Sequence, residues 1–215
     1  MTVDPSTLTL AEKASLLSGR DLWSTQDLPE HDVPAVVLAD GPHGVRPPDL
    51  SGNNTGVSAS LPATCFPPAV GVGASWDRDL AARMGTRLGQ EAAALGVNVL
   101  LGPGVNIKRS PLCGRNFEYF SEDPHLSGAL GASYTAAVEA TGTGTAVKHF
   151  AANNQETDRM QISSDIDERT LREIYLPAFE TVVTTSRPAM VMTAYNKVNG
   201  VPASANPHLI TEILK

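Results

Sequence analysis

A lysine that closes an apolar run invites a chemical explanation, and Lys148 does so in TAVKHF, residues 145–150. Such a lysine is either a Schiff-base nucleophile or a cationic donor to a polar ligand. The alternative is a structural pairing with a carboxylate such as Asp40, which ends a second apolar run, AVVLAD at 35–40. Arg115 lies in GRNFEYFSEDP (114–124) among Glu118, Glu122 and Asp123, where a solvated ion-pair loop is expected. Met192 and Tyr195 flank the end of AMVMTAYN (189–196), and an aromatic there serves either packing or a sugar platform.

Other chemistries fail on context. GVGASW, GPGVNI and GTGTAV each open G-x-G without the third glycine of a dinucleotide fingerprint, so their glycines are expected in turns and caps. No G-K-[ST] occurs, nor a G-x-S-x-G elbow before a helix. His31, His43, His125, His149 and His208 show no i, i+4 pair, and Cys65 and Cys113 no zinc spacing, so neither metal nor cofactor is expected. The cysteines are too few for a disulfide framework, in keeping with a reduced compartment.

The elements that must hold these residues alternate. Thr9 with Glu12 forms a capping box for a first helix carrying Leu10, Leu16 and Leu17 and ending at Gly19. Apolar runs at 35–40, 69–73, 98–107, 145–150 and 189–196 read as five buried strands. Between them, Ser75 caps a helix through Leu80, Met84, Leu88 and Leu95 to Gly96, and Leu126, Leu130, Ala137 and Val138 mark another helix ending near Gly142. Asp165 or Asp167 caps a further helix that Pro177 should bend, Asn206 caps the last one, and residues 47–62 read as a loop.

Apolar strands alternating with helices predict an α/β fold with a parallel sheet. Asp40, Asn106, Lys148, His149, Tyr195 and Asn196 all fall at or just beyond strand ends, as on the catalytic rim of a TIM-like barrel. A closed barrel needs eight strands. The expectation is therefore an incomplete (β/α)8 barrel with about five of eight units, the other strands lying beyond Lys215. At 215 residues with 41% hydrophobic and 18% charged residues, the chain is long enough for one sizeable core. A net charge of -7 provides no cationic field for nucleic acid or anionic membrane. The N-terminus lacks the basic and apolar regions of a secretory signal and no run reaches membrane-spanning length, which points to a cytoplasmic location.

ADGPHGVR, GRNFEYFSEDP, AVKHFAANNQE, DERTLREIYLPAFE and MTAYNKVNG occur in this order along the chain. Together they resemble successive motifs of glycoside hydrolase family 3. The resemblance implies that residues 1–215 form the N-terminal part of that family's barrel domain, with the remaining strands and an α/β sandwich domain absent. It implies retaining hydrolysis of terminal β-D-glucosyl or related residues, so the partner is a β-glycoside; the oligomeric state is left open. Asp40, Arg46, Arg115, Lys148, His149, Met192 and Tyr195 match that family's glycone-subsite residues. Its nucleophilic Asp and acid/base Glu are expected beyond Lys215, leaving no catalytic residue in this chain. KHFAANNQE lacks the second histidine of the KHFPGHG-type loop, which places the parent nearer β-glucosidases and β-xylosidases than β-N-acetylhexosaminidases. The alternatives are a non-catalytic sugar-binding remnant, or an aldolase-like barrel using Lys148.

Overall fold

The computed structural model describes residues 3–47 and 60–215, so most of the segment expected as a loop at 47–62 lies outside the described residues. Four parallel strands form the main sheet: β1 (Leu38–Ala39), β2 (Val99–Leu100), β3 (Gly144–Phe150) and β5 (Met190–Thr193), in the order β1-β2-β3-β5. A second sheet joins β4 (Ser163–Ser164), β6 (Lys197–Val198) and β7 (Val201–Pro202). Its β6 and β7 form an antiparallel pair. Helix α1 (Leu10–Leu16) precedes the main sheet, α2 (Ala69–Ser75) and α3 (Arg78–Ala94) separate β1 from β2, and α4 (Pro124–Glu139) separates β2 from β3. The short α5 (Glu168–Thr170) runs through a π-helical turn at Leu171–Tyr175 towards α6 (Pro177–Ser186), and a second π-helical segment spans His208–Ile213.

Each parallel strand is followed by chain that returns to the opposite end of the sheet, so all the strand C-termini share one edge. The core lies between that sheet and α3, α4 and α6, and contains Leu88, Leu100, Leu130, Val147, Phe150 and Phe179. Phe150 and Phe179 meet edge to face at 5.2 Å, tying β3 to α6.

The run at 69–73 is helical, which reduces the expected five parallel strands to four. Ala69, Val72 and Gly73 are its buried residues, at i, i+3 and i+4, which is a helix face; a short apolar run does not reveal that period in sequence. Gly71 and Gly73 consequently lie inside α2 instead of in a turn. The α3 cap is Asp77, which accepts from Leu80 N at 2.9 Å, whereas Ser75 folds back to donate to Val72 O at 2.6 Å. The α1 capping box forms as expected, but the helix stops at Leu16 and leaves Leu10 and Leu17 exposed. Asp167 caps α5, Pro177 starts α6 after the π-helical turn, and Asn206 accepts from Leu209 N at 3.3 Å.

The ladder expected at 98–107 is formal only at Val99–Leu100, yet the chain stays beside β3 beyond it. Lys148 N donates to Pro103 O and Val105 N to Lys148 O, both at 2.9 Å. Asn106 then replaces the backbone with its side chain, donating to His149 O at 2.9 Å and accepting from His149 N at 2.7 Å.

Candidate functional site

A cleft of about 410 Å³ opens at the C-terminal ends of the main strands, lined by Leu22, Trp23, Asp40, Leu101, Arg115, Lys148, His149, Arg159, Met192, Thr193 and Tyr195. That volume falls within the range of small-molecule sites. Asp40 directly follows β1, Lys148 and His149 belong to β3, Met192 and Thr193 end β5, and Tyr195 lies two residues further on. Larger concavities, including one of about 990 Å³ beside α3 and α4, lie away from this strand edge.

Lys148 is 2% exposed and donates to Asp40 Oδ1 at 2.9 Å, with Glu118 Oε2 3.8 Å away. Burial would raise the Asp40 carboxyl, but the charge and hydrogen bond of Lys148 outweigh it, with Gly41 N–H and Arg115 assisting. The carboxyl is held below the usual aspartate range and stays an acceptor. Arg115 does not sit in a solvated loop: its Nε hydrogen-bonds Glu118, whose side chain is only 5% exposed. Desolvation disfavours the Arg115 charge, yet Glu118's hydrogen bond and charge prevail and raise its pKa further.

His149 is buried, and desolvation, reinforced by the positive charges of Arg115, Lys148 and Arg159, depresses its pKa to about 2. It is therefore a neutral imidazole across the working range. Arg159 pairs with Glu156 at 2.8 Å and lies over the Tyr195 ring, 5.0 Å from its centroid. Tyr195 is 54% exposed, so this contact forms the mouth of the cleft and not its floor.

Six of the seven residues marked in the sequence therefore meet in one cleft. The seventh, Arg46, is exposed and outside the described lining; its backbone N–H donates to Asp40 O at 2.9 Å, fixing the turn that carries Asp40. Sequence reasoning passed over Trp23, Arg159 and the burial of Glu118. Trp23 and Arg159 come from irregular segments, where no period marks a functional side chain. Among the described residues, no group of three or more His, Cys, Asp or Glu could hold a metal ion, and no helix is long and apolar enough to cross a membrane.

Residues 49–215 match the family model described as "Glycosyl hydrolase family 3 N terminal domain". The chain belongs to glycosyl hydrolase family 3. Asp40 and Arg46 precede the matched region, but similarity to individual family 3 proteins extends over nearly the whole chain. It is 53% identical over 208 residues to thermostable beta-glucosidase B of Acetivibrio thermocellus, covering 97% of this chain and 28% of that protein. An exo-alpha-(1->6)-L-arabinopyranosidase of Bifidobacterium longum is 48% identical over 209 residues, with the same coverage of 97% and 28%. Beta-glucosidase 3B from Thermotoga neapolitana, solved in complex with glucose, superposes with a TM-score of 0.91 at 43% identity, over 98% of this chain and 31% of that one. This family 3 chain thus spans under a third of the length of these relatives. Its α/β fold, a parallel sheet with helices packed on it, agrees with the solved family 3 structures.

Proposed function

We propose that these residues form the glycone-binding part of a retaining β-glycosidase of the β-glucosidase type, acting on terminal β-D-glucosyl or related residues. The observation that carries this reading is buried Lys148 paired with the half-buried Asp40 carboxylate in the cleft, with Arg115, His149 and Arg159 around it. A pyranose offers a ring of hydroxyls that both donate and accept. A fixed carboxylate acceptor between charged donors orients such a ring through strong hydrogen bonds, without requiring charge on the ligand. Met192 and Tyr195 supply apolar and aromatic surface for the ring's C–H faces. The glucose complex of the Thermotoga relative supports the same choice of ligand.

Retention needs two carboxyl groups about 5–5.5 Å apart, one a nucleophile and the other an acid/base. Within the cleft, Asp40 is committed to Lys148, and the neighbouring Glu118 to Arg115. The reading therefore assigns the nucleophile and the acid/base to polypeptide outside these 215 residues. It also makes the chain the N-terminal part of a (β/α)8 barrel domain, contributing four of its parallel strands. The engagement of Lys148 Nζ with carboxylates favours a binding role over a Schiff base, and borohydride trapping with a carbonyl ligand should leave it unmodified.

The test is hydrolysis of aryl β-D-glucoside, β-D-xyloside and α-L-arabinopyranoside by the intact protein carrying these residues, the last included because of the Bifidobacterium relative. Turnover of the glucoside with retention, lost in Asp40→Ala, is the expected result. Turnover of none of the three, together with no binding of D-glucose, would refute the reading.

A further inference from the structure

A chain of hydrogen bonds among residues outside the cleft lining reaches Nδ1 of His149. Tyr119 Oη lies 3.2 Å from His149 Nδ1, and Asn153 Nδ2 lies 3.1 Å from Tyr119 Oη and 3.2 Å from Glu156 Oε1. Glu156 in turn holds Arg159 of the cleft mouth. Tyr119 is fully buried and Asn153 nearly so, and neither lines the cleft.

The polarity of this chain can be read from one end. The Glu156 carboxylate, paired with Arg159, only accepts, so Asn153 must turn its NH₂ group towards it. The same NH₂ donates its second hydrogen to Tyr119 Oη. Burial raises the Tyr119 pKa, so the phenol keeps its proton; of the hydroxyl's two partners among the described residues, the Asn153 NH₂ only donates, which leaves His149 Nδ1 as the acceptor of that proton. A neutral imidazole accepting at Nδ1 carries its hydrogen on Nε2.

We propose that Tyr119 and Asn153 are positioning residues that lock His149 in the Nε2–H form, making it an obligate hydrogen-bond donor to a sugar hydroxyl. The ligand part of this statement rests on the function proposed above; the tautomer part does not. A histidine free to exchange tautomers would offer that hydroxyl a donor or an acceptor indifferently. The locked form selects a hydroxyl oxygen presented as acceptor, and so contributes to choosing which epimer fits. Arg115, Lys148 and Arg159 are the charged groups around the ring, and all three disfavour a second proton on it.

Long-range ¹H–¹⁵N spectra of the intact, ¹⁵N-histidine-labelled protein read the tautomer directly. His149, assigned by the loss of its signals in His149→Gln, should show a protonated Nε2 and an unprotonated Nδ1 at neutral pH. Tyr119→Phe should move it towards a tautomer mixture and weaken D-glucose binding about tenfold. Asn153→Leu, which keeps the phenol but removes its donor, should shift the ¹⁵N pattern in the same direction. A wild-type spectrum with the proton on Nδ1 would overturn the proposal, as would an unchanged tautomer in folded Tyr119→Phe. Failure of the wild type to bind D-glucose while His149 shows Nε2–H would instead remove the sugar reading and leave the relay standing.

Discussion

Lys148 faces two carboxylates with a single ammonium, and this sharing determines what its removal costs. Lys148→Met keeps the length of the side chain but, among the described residues, leaves buried Glu118 with Arg115 as its one ion-pair partner and Asp40 with none. Breaking a buried pair by deleting one partner costs about 3–5 kcal/mol. Because Asp40 is 39% exposed and can rehydrate, the lower end of that range is expected, together with loss of glucose binding. Equilibrium unfolding in guanidinium measures the first effect and titration calorimetry the second. Asp40→Asn is the milder change: stability should fall less, while glucose affinity drops at least tenfold because the charged acceptor is gone.

His149 gives the cleft a pH dependence of defined sign. Its pKa is about 2 in the fold, against 6.5 for an ordinary histidine, so between those values the unfolded chain binds the extra proton. Stability must therefore decrease as pH falls from about 6.5, by up to about 1.4 kcal/mol per unit. Asp40, whose folded pKa is lowered, adds stability that is present above the unfolded value of 3.8 and is lost only as pH drops through the lower folded value. Unfolding curves at pH 7 and pH 5 should differ in wild type and lie closer together in His149→Gln; equal separation in both would remove this assignment.

Helix α2 illustrates how two glycines in one element can carry opposite requirements. A Cβ on Gly73 would sit 2.0 Å from the backbone oxygen of Phe120, whereas one on Gly71 meets only Pro67 Cβ at 3.9 Å. Gly73→Ala should therefore destabilise by about 1–3 kcal/mol through overpacking. Gly71→Ala should be neutral or stabilising by about 0.5–1 kcal/mol, since alanine is the better helix former. Thermal melts of the two variants decide the matter. The same helix marks the limit of what was legible in sequence. AVGVGAS has strand-like apolar content and two glycines, and the face it buries at Ala69, Val72 and Gly73 is met by distant segments, Phe120 against Gly73 among them. By contrast, β3 and α4 were legible, as was the helix start near 165–167, which the structure narrows from Asp165 or Asp167 to Asp167, because a long apolar run and local capping chemistry do not depend on distant neighbours. The cleft residues that were foreseen sit at strand ends or in motifs; Trp23, Arg159 and buried Glu118 depend on how loops fold over, which no spacing encodes.

For the molecule as a whole, the open flank of the main sheet is the feature most exposed to consequence. Among the described residues β5 pairs on one side only, with β3, and its Met190 is 38% exposed. A parallel sheet is normally covered, and an unpaired strand is a template for other chains. The 215-residue polypeptide expressed by itself is expected to self-associate, and Met190→Lys to reduce that association in light scattering; a monodisperse monomer in both cases would contradict the expectation.

The Asn106 side chain, standing in for a peptide unit beside His149, has a bearing on motion. It closes the local ladder with both a donor and an acceptor, so the His149 peptide is held from the 106 side as firmly as in a regular sheet, although the adjacent volume is an open cleft. The His149 amide proton should accordingly exchange with deuterated solvent slowly, and Asn106→Ala should speed that exchange. A ligand entering the cleft would then meet, at His149, a backbone whose donor and acceptor are already engaged and which it need not order.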